Sequence, residues 1–236
     1  MNRLVVALML LAGCGPEKLP GQPTGPVEAG DPREVVAFEP LYAQNCAGCH
    51  GAKGGGGAAI GLASPDYLAF AGDGAIRDVI ANGRPSSAMP AFAKSAGGML
   101  TDAQVDALVA GMRAWGTAAQ SDATLPPYAP AAAGDPARGE KVFQTHCASC
   151  HGAGGKGGAI VDGAFLALVS DQYLRTIIVV GRPDLGSPNY RAAGGSPMTS
   201  DEVTDTVAWM AAQREAFPGQ PYPNEEPIEA KKGSQP

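Results

Sequence analysis

Apolar positions recur at helical spacing in two places far apart in the chain. Val105, Leu108, Val109 and Met112 follow Thr101-x-x-Gln104, and Val203, Val207 and Met210 follow Thr199-x-x-Glu202. Each stripe predicts an amphipathic helix with one buried face. The preceding Thr and the Gln or Glu three residues on form a capping box, in which hydroxyl and side-chain oxygen accept from each other's backbone amides. A third apolar run, Leu4 to Ala12, has no polar face and follows Met1-Asn2-Arg3, the layout of an export signal. Stretches without a stripe separate these elements: the Pro/Gly-rich Gly15 to Asp31, the Ala/Pro-rich Gly116 to Pro136, and the tail from Phe217 with its five prolines.

The two striped helices are the ends of two copies of a longer pattern. Cys46-Ala47-Gly48-Cys49-His50-Gly51 and Cys147-Ala148-Ser149-Cys150-His151-Gly152 lie 101 positions apart. Each is followed by a Gly-rich loop, a helical stretch ending in Gly-Arg-Pro (83–85 and 181–183) and the capped final helix. From Gly83/Gly181 to Met112/Met210 the copies align without a gap at an offset of 98. Repetition on this scale predicts two small tandem domains, in an all-α fold. The expected organisation is a signal peptide at 1–13, a flexible tether at 14–32, a first domain at 33–115, an Ala/Pro-rich linker at 116–134, a second domain at 135–215 and an irregular tail at 216–236.

Composition narrows the partners. The 236 residues carry a formal charge of −6, and loss of Arg3 with the leader takes it to −7. That balance argues against nucleic acid and anionic membrane surfaces, which require basic patches. Leu11-Ala12-Gly13-Cys14 resembles the lipobox of bacterial lipoproteins, which implies cleavage before Cys14 and lipidation of that residue. An ordinary signal peptide with an incidental cysteine is the alternative. With the lipid, the protein would sit on the periplasmic side of a bacterial envelope, tethered to a membrane.

C-x-x-C-H is the attachment signature of c-type haem. Two thiols on one turn reach the two vinyl groups, and the adjacent histidine is carried under the iron. A structural disulfide within each pair would give His50 and His151 no role, and a zinc ribbon wants its two Cys pairs within roughly 15 to 20 residues. The expected cofactor set is two covalently bound haems, attached at Cys46, Cys49, Cys147 and Cys150, with His50 and His151 on iron.

Each repeat resembles class I cytochrome c, over nearly all of residues 33–115 and 135–213. The family has a small residue eight positions before the first cysteine and an aromatic four before it, and an aromatic on the crossing final helix. Gly139, Phe143 and Trp209 fit in the second repeat. In the first, Tyr42 fits, but Phe38 takes the small-residue site and Gly111 the aromatic site, so we expect a size swap at one helix crossing.

The resemblance also implies a distal methionine before the last helix. Met89, in Gly83-Arg84-Pro85-Ser86-Ser87-Ala88-Met89-Pro90, matches it as sixth ligand of the first iron. The ungapped alignment puts Ser187 opposite Met89, and serine ligates haem iron poorly. Met198 is the nearest substitute, yet it aligns with Leu100, where it would serve as a hydrophobic staple on Val203; both roles stay open. His146 abuts Cys147 and is not expected to reach the opposite face. Arg84 and Arg182 occupy equivalent places, as partners of a haem propionate or as solvated loop residues, and the Gly-rich loops are expected to lie against the haem edge.

These readings predict an electron carrier rather than an enzyme. It would be a lipid-anchored dihaem cytochrome passing single electrons between redox protein partners outside the cytoplasm, in a quinol-oxidising or terminal oxidase assembly or as a tethered shuttle. A dihaem peroxidase or ligand sensor, using an open distal site on the second haem, is the alternative.

Overall fold

The computed structural model describes residues 31–85, 87–116 and 125–216. Cys14, the leader, most of the tether, residues 117–124 and the tail from 217 lie outside the described residues. Contacts divide the chain into Met1–Glu34 and Val35–Pro236. In the former, Pro32–Glu34 form a single 3-10 turn beside an Arg33–Asp31 ion pair.

From Val35 on, the described residues are all-α, a pair of cytochrome c-like helical sets in tandem. The first set is α1 (Phe38–Asn45), α2 (Ala47–His50), α3 (Pro65–Phe70), α4 (Asp73–Asn82) and α5 (Asp102–Trp115). The second is α6 (Pro136–His146), α7 (Ala148–His151), α8 (Gly163–Ala167), α9 (Asp171–Val180) and α10 (Ser200–Ala211). In both, the helix before the attachment motif packs on the final helix, α1 on α5 and α6 on α10, and the fourth helix packs there too.

Local chemistry starts these helices. Ser64, Asp135, Asp162 and Ser170 cap α3, α6, α8 and α9 through side-chain oxygens. Both expected capping boxes are present, Thr101 with Gln104 and Thr199 with Glu202. The stripes behind them are buried: Val105, Leu108, Val109 and Met112 in α5, and Val203, Val207 and Met210 in α10. Each fully buried apolar side chain contributes about 1.5–3 kcal/mol.

The size swap is present. A Cβ on Gly111 would lie 2.0 Å from Cδ2 of Phe38, so the α1 phenyl ring occupies that space. A Cβ on Gly139 would lie 2.0 Å from the Asp205 carbonyl oxygen and 2.8 Å from Cβ of Trp209, so here two backbones meet and the large ring stands on the final helix. Trp209 then packs on Phe143, ring centres 4.6 Å apart. In α5 the aromatic sits one turn later: Trp115 stands edge-on to Phe38 at 5.0 Å and to Tyr42 at 4.8 Å.

An arginine at the end of each final helix ties down the third helix. Arg113 donates to the carbonyls of Leu68 and Ala71 and pairs with Asp73. Arg214 donates to Leu166 at 3.0 Å and Val169 at 2.8 Å and pairs with Asp171 at 2.6 Å. Both reach carbonyls in the last turn of the third helix and just past its end.

Candidate haem-binding sites

Cys46 is the junction of α1 and α2, and Cys49 and His50 lie on α2; Cys147 joins α6 to α7, which carries Cys150 and His151. All four thiols are free. Burial, then the neighbouring thiol, pushes Cys46 and Cys147 each up to about 11, so both are neutral thiols at pH 7 rather than reactive thiolates.

The two histidines are held alike. His50 Nδ1 is 2.9 Å from the Ile60 carbonyl oxygen and His151 Nδ1 is 3.0 Å from that of Gly158. A carbonyl only accepts, so Nδ1 carries the proton and the Nε2 lone pair is left for a metal. Burial lowers the His50 pKa, against the Ile60 carbonyl, which raises it, and so favours the neutral ring that a ligand must be.

The Gly-rich loops make this possible by folding onto their own attachment segments. Ala59 donates to the Cys49 carbonyl at 2.9 Å and Gly157 to that of Cys150 at 2.7 Å. A Cβ on Gly157 would lie 2.7 Å from Cε1 of His151, and one on Gly57 would lie 2.2 Å from the Cys49 carbonyl oxygen. Their close approach is to the CxxCH backbone and, at Gly157, to the histidine ring. The histidine acceptors Ile60 and Gly158 carried no sequence signal beyond lying in those loops. In the first site Tyr42 also donates to the Gly51 carbonyl at 2.9 Å, a bond Phe143 lacks the hydroxyl to make.

Two thiols and one histidine nitrogen per segment suit haem, whose macrocycle supplies four further donors, and fall short of the four protein ligands of a structural zinc site. Among the described residues no three His, Cys, Asp or Glu side chains converge as a metal cluster.

The distal loops keep the ungapped register in space. Arg84 N–H donates to the Met89 carbonyl at 3.0 Å, and Arg182 N–H to the Ser187 carbonyl at 3.0 Å. Leu100 N–H donates to Phe92 at 2.7 Å, and Met198 N–H to Tyr190 at 2.9 Å. Ser187 therefore stands where Met89 stands, and Met198 where Leu100 does. Met198 is 3% exposed and belongs to the core cluster that includes Val203, Val180 and Tyr190. Met89 is half-buried, its amide donating to Ser87 Oγ at 3.2 Å. His146 Nδ1 lies 2.9 Å from the Ala193 carbonyl oxygen, pinning the second distal loop to α6.

Neither Gly-Arg-Pro arginine is a solvated loop residue. Arg84 donates to the Tyr128 hydroxyl at 2.7 Å, and Arg182 is 7% exposed and pairs with Asp184 at 2.8 Å. A cavity of about 270 Å³ between α9, α10 and the linker, lined by Gln172, Arg175 and Thr204 among others, touches none of the attachment residues.

Residues 34–112 and 134–210 match the family described as cytochrome C oxidase, cbb3-type, subunit III. The chain belongs to this family. Membership makes it a c-type cytochrome, an electron-transfer protein whose cofactor is covalently bound haem. Over 224 residues it is 25% identical to the cytochrome bc1 complex cytochrome c subunit of Mycobacterium tuberculosis, covering 90% of this chain and 75% of that one. Over 178 residues it is 30% identical to the Cbb3-type cytochrome c oxidase subunit CcoP of Azospirillum sp., covering 70% of this chain and 50% of that one. Among solved structures, dihydro-heme d1 dehydrogenase NirN in complex with DHE superposes with a TM-score of 0.29 at 35% identity, over 39% of this chain and 18% of that one. Among the described residues no helix is long and apolar enough to cross a membrane.

Proposed function

We propose that this chain is a lipid-anchored dihaem cytochrome c, with domains at 33–115 and 135–215, that passes single electrons between respiratory partners outside the cytoplasm. The observation that carries the reading is the duplicated attachment segment, each with its histidine Nδ1 on a loop carbonyl and Nε2 left free. Its likeness to cytochrome subunits named for bc1 and cbb3 complexes supports a place in a quinol-oxidising or terminal oxidase assembly.

Haem, when bound, supplies one-electron exchange at its iron. The protein's part is attachment and orientation. Cys46 and Cys49 hold one group and Cys147 and Cys150 the other, His50 and His151 bind through Nε2, and the Ile60 and Gly158 carbonyls fix both rings. Met89 is the sixth ligand at the first site. At the second, Ser187 stands in that place and Met198 lies in the core, so a haem held there would have no protein ligand from this loop and could take water or a small external ligand. That opening is the footing for peroxidase or sensor chemistry. Against it, the loop carries no histidine to act as acid/base on a bound peroxide, and His146, the remaining histidine, stands at the end of α6 directly before Cys147. Cys14 carries the lipid, which makes release from membranes depend on detergent.

Met89→Ala tests the assignment at the first site. The expected outcome is a lower reduction potential for one of the two haems and new carbon monoxide binding there. An unchanged potential places the first distal ligand elsewhere.

A further inference from the structure

Arg84 and Arg182 open equivalent loops, yet both reach out of their own repeat. Arg182 Nη2 donates to the Gly57 carbonyl at 2.9 Å and Nη1 to that of Ala58 at 3.3 Å, both in the Gly-rich loop of the first attachment segment. Its Nε and Nη2 also hold the Asp184 carboxylate at 2.9 and 2.8 Å. The buried charge is thus balanced within its own loop, and the remaining donors are directed across the boundary. A planar fork can hold the carboxylate and two carbonyls at once, which a lysine ammonium does not match.

Arg84 holds the other side of the seam. Its acceptor, the Tyr128 hydroxyl, belongs to the linker. The Tyr128 ring packs on Phe70 of the first set at 5.2 Å, and its carbonyl accepts from Gln172 of the second at 3.0 Å. Arg175 of α9 grips the adjoining Pro127 carbonyl at 3.0 and 2.8 Å. Between these ties, Asn189 donates to Asp66 at 3.0 Å, α3 packs on α9, and one apolar cluster runs from Leu68 and Phe70 to Val179 and Val180.

We propose that Arg84 and Arg182 are positioning residues that lock the two attachment-bearing halves into one rigid body. The spacing of the two sites is then set by protein contacts rather than by linker length. Gly57 and Ala58 directly precede the stretch whose Ile60 carbonyl orients His50, so the lock seats on the segment that positions the first histidine. The haem loading rests on the function proposed above; the lock is a property of the polypeptide.

Differential scanning calorimetry of the haem-loaded full chain tests it, with haem per chain counted in the same samples. Wild type should melt in one transition with a calorimetric to van't Hoff enthalpy ratio of about 1, and Arg84→Gln/Arg182→Gln should split the transition and move the ratio toward about 2. Tyr128→Phe, which keeps the ring on Phe70 and removes the Arg84 acceptor, should raise the ratio by less. Arg77→Gln loses only exposed ion pairs to Asp102 and Asp106 within the first set, and should leave the ratio at about 1. A wild type already near 2, or a double variant that still melts as one unit, overturns the lock. Fewer than two haems per chain overturns the two-site reading, while the enthalpy ratio still decides whether the halves are locked.

Discussion

Asp205 is 4% exposed in the crossing of α6 and α10 and accepts from Arg138 Nε at 2.7 Å and from the Asp135 amide at 2.7 Å. Burial alone raises its pKa; the Arg138 hydrogen bond, the Asp135 amide and the nearby positive charge outweigh that and leave it lowered. A depressed folded pKa contributes stability that is complete above the unfolded value of about 3.9 and lost as pH falls through the folded value. Asp205→Asn should therefore cost about 1–3 kcal/mol at pH 7. The gap to wild type should close as pH drops below about 4, as read by urea denaturation across pH. A gap constant with pH would mean that packing, not the carboxylate charge, holds the crossing. At the same scale, the Arg113 and Arg214 clamps were hidden from the sequence for a definable reason. Their acceptors Leu68, Ala71 and Asp73 match Leu166, Val169 and Asp171 at the repeat offset of 98, but the arginines themselves are 101 apart and leave the alignment.

At the scale of elements, the two helix crossings solve one packing problem in opposite ways, and the difference is testable. Gly111 faces the Phe38 side chain from Cδ2 back to Cβ, whereas Gly139 faces the Asp205 carbonyl, backbone that α10 fixes. Replacing a helical glycine by alanine gains up to about 1 kcal/mol of propensity, and overpacking costs about 1–3 kcal/mol or more. Gly111→Ala should thus come out near neutral to about 2 kcal/mol destabilising, and Gly139→Ala about 3 kcal/mol or more. Gly111→Trp, which adds a second large ring beside Phe38, should also melt lower; unchanged melting of the tryptophan variant would remove the size-swap account. The capping boxes, the stripes, the swap itself and the attachment segments were legible because each depends on residues within a few positions, or on a repeat that aligns them. Trp115 was not, because its role as the displaced aromatic follows from where α5 crosses α1, one turn beyond the aligned position.

The seam belongs to the scale of the whole molecule and was invisible in the sequence. Arg182 and Gly57 are 125 positions apart, and an Ala/Pro-rich linker gave no sign that Tyr128 would be held from both sides. The arginines stood out as a repeated motif, but the repeat itself misled: equivalent positions make unlike contacts, one to the linker and one to the other half. The distal loops show the reverse case, since the ungapped alignment holds in space and sets Ser187 against Met89 and Met198 against Leu100. The two proposed haem sites thus share attachment and proximal ligation and differ on the distal side. The visible spectrum of the dithionite-reduced protein before and after carbon monoxide, with total haem per chain quantified in the same sample, tests this most directly. The expected result is two haems per chain, of which one, at the Ser187 site, binds carbon monoxide while the Met89 site does not. A chain with fewer than two haems, or one in which carbon monoxide reaches neither, contradicts it.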